Sequence, residues 1–165
     1  MADYSVVGQP VYRKDSAQKV TGQVLHVGNI EMPGMLHTAV LRSPYPHARI
    51  VNIDASEAEA FPGVVAVLTG KDVQDLAPTS RGAPVIAIDK ARYQGEPVAA
   101  AAAKDEETAE EALSLIEVDY EELPSVLDPK MAMEPGAVVV HEELSSYKGF
   151  HHPPQSIPNV FAIQN

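Results

Sequence analysis

The alternation of apolar and polar positions predicts five β-strands and one long helix. Short apolar or alternating runs, bounded by Pro, Gly and Asp, predict strands at about 36–41, 48–53, 64–69, 98–103 and 116–121. Asp105 is a candidate N-cap, and apolar residues with helical spacing reach Leu113, which predicts a helix over 105–114. The period changes from 3.6 to 2 near residue 115, so we expect an α+β fold with a mixed β-sheet packed by this helix.

Shorter elements are predicted between the strands. Ser56 and Glu59 fit a capping box, with Asp54 as an earlier candidate cap, which predicts a short helix before residues 62–63. Residues 70–92 show little pattern, so we interpret them as a loop with one turn of helix near Lys71–Leu76.

The run 98–103 is ambiguous, because its alanines favour helix intrinsically. Pro97 opens the run and Lys104 and Asp105 close it, so we interpret it as a buried strand.

Three segments divide the chain. Residues 1–21 are polar and turn-rich, and we interpret them as an extended lead-in to a domain at 22–146. Residues 147–165 contain three prolines up to Pro158 and are interpreted as a linker. An apolar run resumes at Asn159, and the chain stops at Asn165. We therefore expect an N-terminal domain cut from a longer protein; the alternative is a tail that folds back on its own domain.

Composition excludes several classes of function. The 165 residues carry 12 Lys+Arg against 23 Asp+Glu, a net charge of -11, and no cysteine. Zero Cys excludes a disulfide framework, an Fe–S cluster and a thiolate nucleophile. The acidic balance and scattered basic residues argue against nucleic-acid binding. No run approaches the length of a membrane span, and the N-terminus lacks signal-peptide features, so we expect a cytoplasmic protein without a membrane partner.

The usual catalytic signatures are missing from this sequence. We find no G-x-G-x-x-G, Walker-A, H-E-x-x-H or G-x-S-x-G motif. His151 and His152 lie in the Pro-rich linker, where neighbouring side chains point to opposite sides, and we interpret them as solvated. We expect His26, His37 and His47 to be partly buried and hydrogen-bonded.

Paired carboxylates offer the remaining chemistry. Glutamate doublets occur at 106–107, 110–111 and 121–122, and an acid–base pair is one interpretation. A solvated face is the favoured one, because exposed Glu is common. The run 128–133 faintly resembles a biotin-carrier hairpin, but its lysine precedes both methionines. We therefore assign no catalytic, cofactor-binding or metal-ligating residue.

A set of segments, in order, is similar to one known family. They are 19–22 (KVTG), 42–44 (RSP), 47–50 (HARI), 53–54, 62–67 (PGVVAV), 93–99 (YQGEPVA), 116–124 (IEVDYEELP) and 159–160. Together they resemble the N-terminal α/β-hammerhead domain of the molybdenum hydroxylase large subunit. That family includes xanthine dehydrogenase, aldehyde oxidase, carbon monoxide dehydrogenase, nicotinate dehydrogenase and 4-hydroxybenzoyl-CoA reductase.

The resemblance implies a function for a longer parent enzyme. Such an enzyme hydroxylates aldehydes or N-heterocycles, or dehydroxylates an aromatic acyl-CoA. It uses molybdopterin cytosine dinucleotide, with [2Fe–2S] clusters and FAD on other subunits or domains. The family's pterin-binding and catalytic residues lie beyond the hammerhead domain, so the resemblance implies no catalytic residue and no cofactor here.

The expected partners are a downstream molybdopterin-binding domain and the Fe–S and FAD subunits. Candidate contacts with the downstream domain are Arg42, Ser43 and Pro44 in one segment and Gly95, Glu96 and Pro97 in another. An exposed docking surface also makes self-association of this chain an expectation.

Two alternatives to a structural domain stay open. One is a stand-alone interaction or binding module with a hammerhead fold; the other is an unrelated small enzyme that uses its carboxylates. A reading frame continuing past Asn165 distinguishes the structural domain from the module, and metal analysis tests the small enzyme.

Overall fold

A computed structural model describes residues 6–74, 84–142 and 159–160. The chain divides into two compact units, Met1–Met35 and Leu36–Asn165. In the first unit, the described residues form helix α1 (Ser16–Val20) and a 3-10 helix (Val27–Asn29). None of the described residues of this unit is buried. The predicted domain limits at 22 and 147 stay predictions, and residues 147–158 lie outside the described ranges.

The second unit contains six strands and three α-helices among its described residues. The strands are β1 (His37–Arg42), β2 (Ala48–Asp54), β3 (Val64–Thr69), β4 (Lys90–Ala91), β5 (Pro97–Ala103) and β6 (Glu117–Glu122). The helices are α2 (Ser56–Ala60), α3 (Gly70–Val73) and α4 (Glu106–Ser114), and a 3-10 helix follows at Met131–Met133. All five predicted strands and the α4 helix are confirmed, and the predicted α+β class with them.

The strands form two sheets, where the sequence predicted one mixed sheet. Odd-numbered strands make the first sheet, in the order β1-β5-β3, and even-numbered strands make the second, in the order β4-β2-β6. Every pairing among the described strands is antiparallel, so the prediction of a mixed sheet is wrong. The error has a physical cause: side-chain alternation shows which face of a strand is buried, but it carries no information about the neighbouring strand.

Alanines fill the core between the elements. Ala99 and Ala101 of β5 and Ala112 of α4 are fully buried, and Ile116 completes this cluster. Ile53 and Val118 of the second sheet pack against the same cluster, as do Leu41, Val64, Val67, Leu113 and Leu115. Because alanine has no side chain beyond Cβ, α4 can lie close to the central strand of the first sheet. The predicted interpretation of 98–103 as a buried strand, rather than a helix, is confirmed.

Helix termini follow local hydrogen bonding. The predicted cap of α4 is confirmed, since the Asp105 carboxylate accepts from the Thr108 N–H at 2.8 Å. The capping box predicted at Ser56 is wrong. Ser56 is the first residue of α2, and its N–H donates to Asp54 at 3.0 Å, because Asp54 reaches that N–H first. The turn of helix predicted near residue 71 is present as α3, and the part beyond residue 74 lies outside the described ranges.

Register shifts explain why alternation along β2 and β3 is imperfect. The shift in β2 lies between Ile50 and Asn52, and the one in β3 lies between Val64 and Ala66. Each extra residue moves the following side chains to the other face, so inward positions continue at Ile53 and Val67. For β2, the expected partial cover of both faces is replaced by a bulge with one inward face.

Candidate interdomain contact site

The two segments predicted to contact another domain lie side by side. β1 ends at Arg42 and β5 begins at Pro97, and these two residues are paired after a register shift. The Ser43 N–H donates to Glu96 O at 2.9 Å, and the Gly95 N–H donates to Ser43 O at 2.9 Å. We call residues 42–44 together with 95–97 the loop pair. The structure therefore joins all six predicted residues into one site, although sequence reasoning placed them in two separate segments.

Arg42 and Gly95 make a further link within the loop pair. One Arg42 guanidinium nitrogen donates to Gly95 O at 2.9 Å, across 53 residues of sequence. Gly95 has a φ of +91°, and a Cβ there would meet no atom within 4 Å. Glycine is thus favoured at residue 95 by the left-handed backbone of a turn rather than by a close neighbour. Arg42 and Pro44 are exposed, so they form the outward part of the site.

Ser43 and Glu96 are buried beneath this surface. The Ser43 hydroxyl donates to Tyr45 O and accepts the Tyr45 N–H, both at 3.1 Å. The Glu96 carboxylate accepts the Arg92 N–H. Burial raises the pKa of Glu96, while the Arg92 N–H bond and the Arg92 positive charge act in the opposite direction. Both side chains are therefore occupied in holding the turn rather than presented to a ligand.

Two tyrosines flank the site. The rings of Tyr45 and Tyr120 lie 5.3 Å apart, with an angle of 55° between their planes. Burial raises the pKa of the Tyr120 hydroxyl, and a hydrogen bond with Ser43 partly opposes that effect. This contact ties the loop pair of the first sheet to β6 of the second sheet, which fixes the position of Ser43.

A group of charged residues next to the loop pair was missed by the sequence analysis. Lys90 forms an ion pair with Glu142. Arg92 lies 3.9 Å from Asp89 and donates to Lys90 O at 3.2 Å. Burial lowers the pKa of His141, and the Arg92 charge adds to that effect while Glu142 opposes it. No sequence signal marks this group, since its members come from two distant segments of ordinary polarity.

The histidines meet the expectation only in part. His47 is buried, with Nδ1 at 2.7 Å from Pro124 O, so the predicted hydrogen-bonded histidine is confirmed there. His37 is half-buried, as expected. His26 is exposed, and the prediction for it is wrong because its segment has no neighbouring core. His151 and His152 lie outside the described residues.

The carboxylate doublets lie on exposed surfaces. Both members of each doublet are exposed, and Glu121 forms an ion pair with Arg49 at 3.4 Å. The favoured interpretation of a solvated face is thus confirmed. In the run that resembles a biotin carrier, Asp128 instead accepts the Lys130 and Met131 N–H groups, which makes a turn before a 3-10 helix.

The polar groups around the loop pair do not fit a pterin dinucleotide. Its pyrophosphate calls for clustered N–H groups or free basic side chains. Arg42 is bonded to a carbonyl within the loop pair, and Arg92 has carboxylates on both sides. Within residues 6–74, 84–142 and 159–160, no group of three or more His, Cys, Asp or Glu is arranged to hold a metal ion. No chemical step is therefore derived through a cofactor at this site.

The fold, two interleaved antiparallel sheets joined by an alanine core, defines an α/β-hammerhead domain. Residues 21–124 match the family model described as aldehyde oxidase and xanthine dehydrogenase, a/b hammerhead domain. This match covers more than half of the chain, and the protein therefore belongs to the aldehyde oxidase and xanthine dehydrogenase hammerhead family.

Similar proteins include large chains of these enzymes. A xanthine dehydrogenase subunit from Bacillus subtilis (strain 168) is 44% identical over 134 residues, which cover 79% of this chain and 18% of the relative. The carbon monoxide dehydrogenase large chain of Hydrogenophaga pseudoflava is 39% identical over 155 residues, covering 90% and 19%. The crystal structure of Cu,Mo-CO dehydrogenase in the carbon monoxide reduced state has a TM-score of 0.77 at 40% identity, covering 83% and 18%.

The chain thus spans less than a fifth of the length of these relatives. Among the described residues, no helix has both the length and the apolar character needed to cross a membrane.

Proposed function

We propose that this chain is the N-terminal hammerhead domain of the molybdopterin-binding large subunit of a xanthine dehydrogenase/aldehyde oxidase-type oxidoreductase. In this proposal it is a structural domain, inactive in isolation, that supports the catalytic part of a longer subunit. The observation that carries the proposal is the state of its polar groups. The buried members of the loop pair are occupied by bonds within the chain, so they hold a surface rather than a substrate.

The parent enzyme, in this proposal, hydroxylates an aldehyde or an N-heterocycle, or dehydroxylates an aromatic acyl-CoA, in the cytoplasm. Molybdopterin cytosine dinucleotide lies in the downstream domain, and [2Fe–2S] clusters and FAD lie on other subunits or domains. Hydroxylation needs an electron acceptor, which those redox groups supply. The residues of this chain contribute by fixing the geometry of the surface on which the catalytic domain rests.

Exposed Arg42 and Pro44 form the outer contact of the loop pair in this proposal. A guanidinium already bonded to a backbone carbonyl keeps free N–H groups, because Arg has five donors. It can therefore donate to a carbonyl or carboxylate of the neighbouring domain while still bound to Gly95 O.

The test compares this chain with the complete large subunit. Both are purified from molybdate-supplemented cells, molybdenum is measured by mass spectrometry, and dye reduction is assayed with an aldehyde and with a purine. We expect near-stoichiometric molybdenum and dye reduction only for the complete subunit assembled with its partners. Stoichiometric molybdenum or dye reduction by the isolated chain overturns the structural role. A stand-alone interaction module predicts neither property for any longer product of the gene.

A further inference from the structure

The first sheet has one covered face and one bare face. α4 contacts β1, β5 and β3 on the covered side, where Ala99 and Ala101 are fully buried. On the opposite side, the register places two rows of residues across the three strands, namely Thr38–Ala102–Ala66 and Val40–Ala100–Leu68. We call these six residues the outer face. Val40 is 38% exposed and Leu68 is 44% exposed, and none of the six carries a charge.

The sequence of β5 is typical of a strand covered on both faces. It reads PVAAAAA, without one polar position, whereas a strand with one solvated face alternates apolar and polar residues. Only the α4 side of this strand meets that pattern among the described residues, since Ala100 and Ala102 are partly exposed. A second cover is therefore missing from the outer face.

The outer face adjoins the loop pair. The row Val40–Ala100 is followed along the same strands by the paired residues Arg42 and Pro97. An apolar surface thus continues directly into the segment that we propose as the interdomain contact. The two surfaces together offer an uncharged area with a polar end at Arg42.

The size of the outer face favours a tethered occupant over a free one. Three strands about 4.8 Å apart, with about five residues each at 3.4 Å per residue, give roughly 200–250 Å². A stable interface between separate proteins buries about 800 Å² per partner. A segment of the same polypeptide needs less, because tethering supplies a high effective concentration. The net charge of -11 further opposes pairing with a second copy.

We propose that the outer face is a docking surface for another part of the same large subunit, outside residues 1–165. The occupant presents an apolar, uncharged surface that lies close to the backbone of β5, because Ala100 and Ala102 leave little side chain between. The inference rests on the proposed function. The relatives support it by length, since more than four-fifths of each lies outside the segment matched to this chain.

The absence of cysteine from this chain permits a direct test. Val40→Cys and Leu68→Cys place single thiols on the outer face, and Val51→Cys is the matched control, since Val51 lies on β2 and is 63% exposed. Each variant is prepared as the isolated chain and as the complete large subunit. Maleimide modification is followed by mass spectrometry of the peptide that carries the thiol.

We expect all three thiols to react at similar rates in the isolated chain. In the complete subunit, the thiols at 40 and 68 should react at least 10-fold more slowly than the control at 51. Equal rates at the three positions in the complete subunit overturn the proposal. Protection at 40 and 68 in the isolated chain also overturns it, and indicates a second copy if protection rises with concentration, or a cover within the chain if it does not.

A second pair of variants separates docking from folding. Leu68→Lys should leave the Tm of the isolated chain unchanged, because the residue is exposed, and should lower the Tm of the complete subunit. Val51→Lys should change neither, and equal effects of the two variants on the complete subunit contradict the docking role. If the complete subunit lacks molybdenum but still protects residues 40 and 68, the proposed function fails while the docking surface stands.

Discussion

The two compact units of this chain are ordered by different kinds of contact. Residues 36–142, where described, surround an alanine core, and their strand pairs join residues far apart in sequence. Residues 6–35 contain no buried residue, and their contacts are short-range, such as the ion pairs from Asp15 to Arg13 and Lys19. Large apolar side chains such as Tyr12 and Val27 are exposed there.

Charge separates the units as well. Residues 1–35 contain three Lys+Arg and three Asp+Glu, so the net charge of -11 belongs to residues 36–165. The comparison teaches that the same chain has one part whose stability comes from packing and another whose order comes from local polar contacts. Substitutions at matched residues of the two units should therefore differ in cost.

The largest expected difference is between two glycines. A Cβ at Gly70 would lie 2.2 Å from Ala87 O and 2.6 Å from Ile88 Cα, both backbone atoms that cannot rotate away. Gly70→Ala should lower the free energy of unfolding by about 3 kcal/mol, because the backbone must shift. Gly28→Ala, with no atom within 4 Å of its Cβ, should change it by less than about 0.5 kcal/mol. Urea denaturation measures both, and equal effects break the comparison.

Two leucines give the next contrast. Leu113 is half-buried and packs against the core cluster, so Leu113→Ala should cost about 2 kcal/mol, near the low end for buried leucine. Leu25 is 72% exposed, and Leu25→Ala should cost less than about 0.5 kcal/mol. The measurement is again chemical denaturation. A cost at Leu25 that matches Leu113 would mean that residues 6–35 have a core of their own.

Glu96 should make stability depend on pH in a defined direction. Burial raises its pKa in the folded chain, so the cost of its charge is present at neutral pH and is lost as pH falls through the folded-state pKa. Glu96→Gln should therefore raise the denaturation midpoint at pH 7 and lose that advantage near pH 4. The exposed Glu31→Gln is the control, for which we expect no change at either pH. A lower midpoint for Glu96→Gln at pH 7 would show that the Arg92 interaction outweighs burial.

The smallest effect is expected at Lys19. Its ammonium lies 2.6 Å from Asp15, but both side chains are more than two-fifths exposed. Solvent screens such pairs, so Lys19→Ala should shift the Tm by less than about 2 °C. Thermal unfolding at low and at high salt tests this, and a large loss at low salt alone would show that α1 depends on the ion pair.

Sequence alone predicts the elements of this fold far better than their assembly. The alternation around Tyr120 and the cap at Asp105 are local signals, and both predictions are confirmed. The division into two sheets and the bulges in β2 and β3 depend on contacts between distant residues, which no local pattern records.

The candidate site shows the same limit. Residues 42–44 and 95–97 were selected separately, and only the pairing of Arg42 with Pro97 unites them. The requirement for glycine at Gly70 was missed, because it arises from the backbone of residues 87–88, and nothing near Gly70 in sequence marks that approach.

The alternation of strands between the sheets has a consequence for how the chain folds during synthesis. No described strand pairs with the next one along the chain, so neither sheet can begin as a local hairpin. β1 must wait for β5, whose partner residue to Val40 is Ala100, and β2 must wait for β6. Until residue 122 has left the ribosome, several strand edges remain unpaired and open to wrong partners. The time spent in that state, rather than the stability of the finished domain, should set the yield of folded protein.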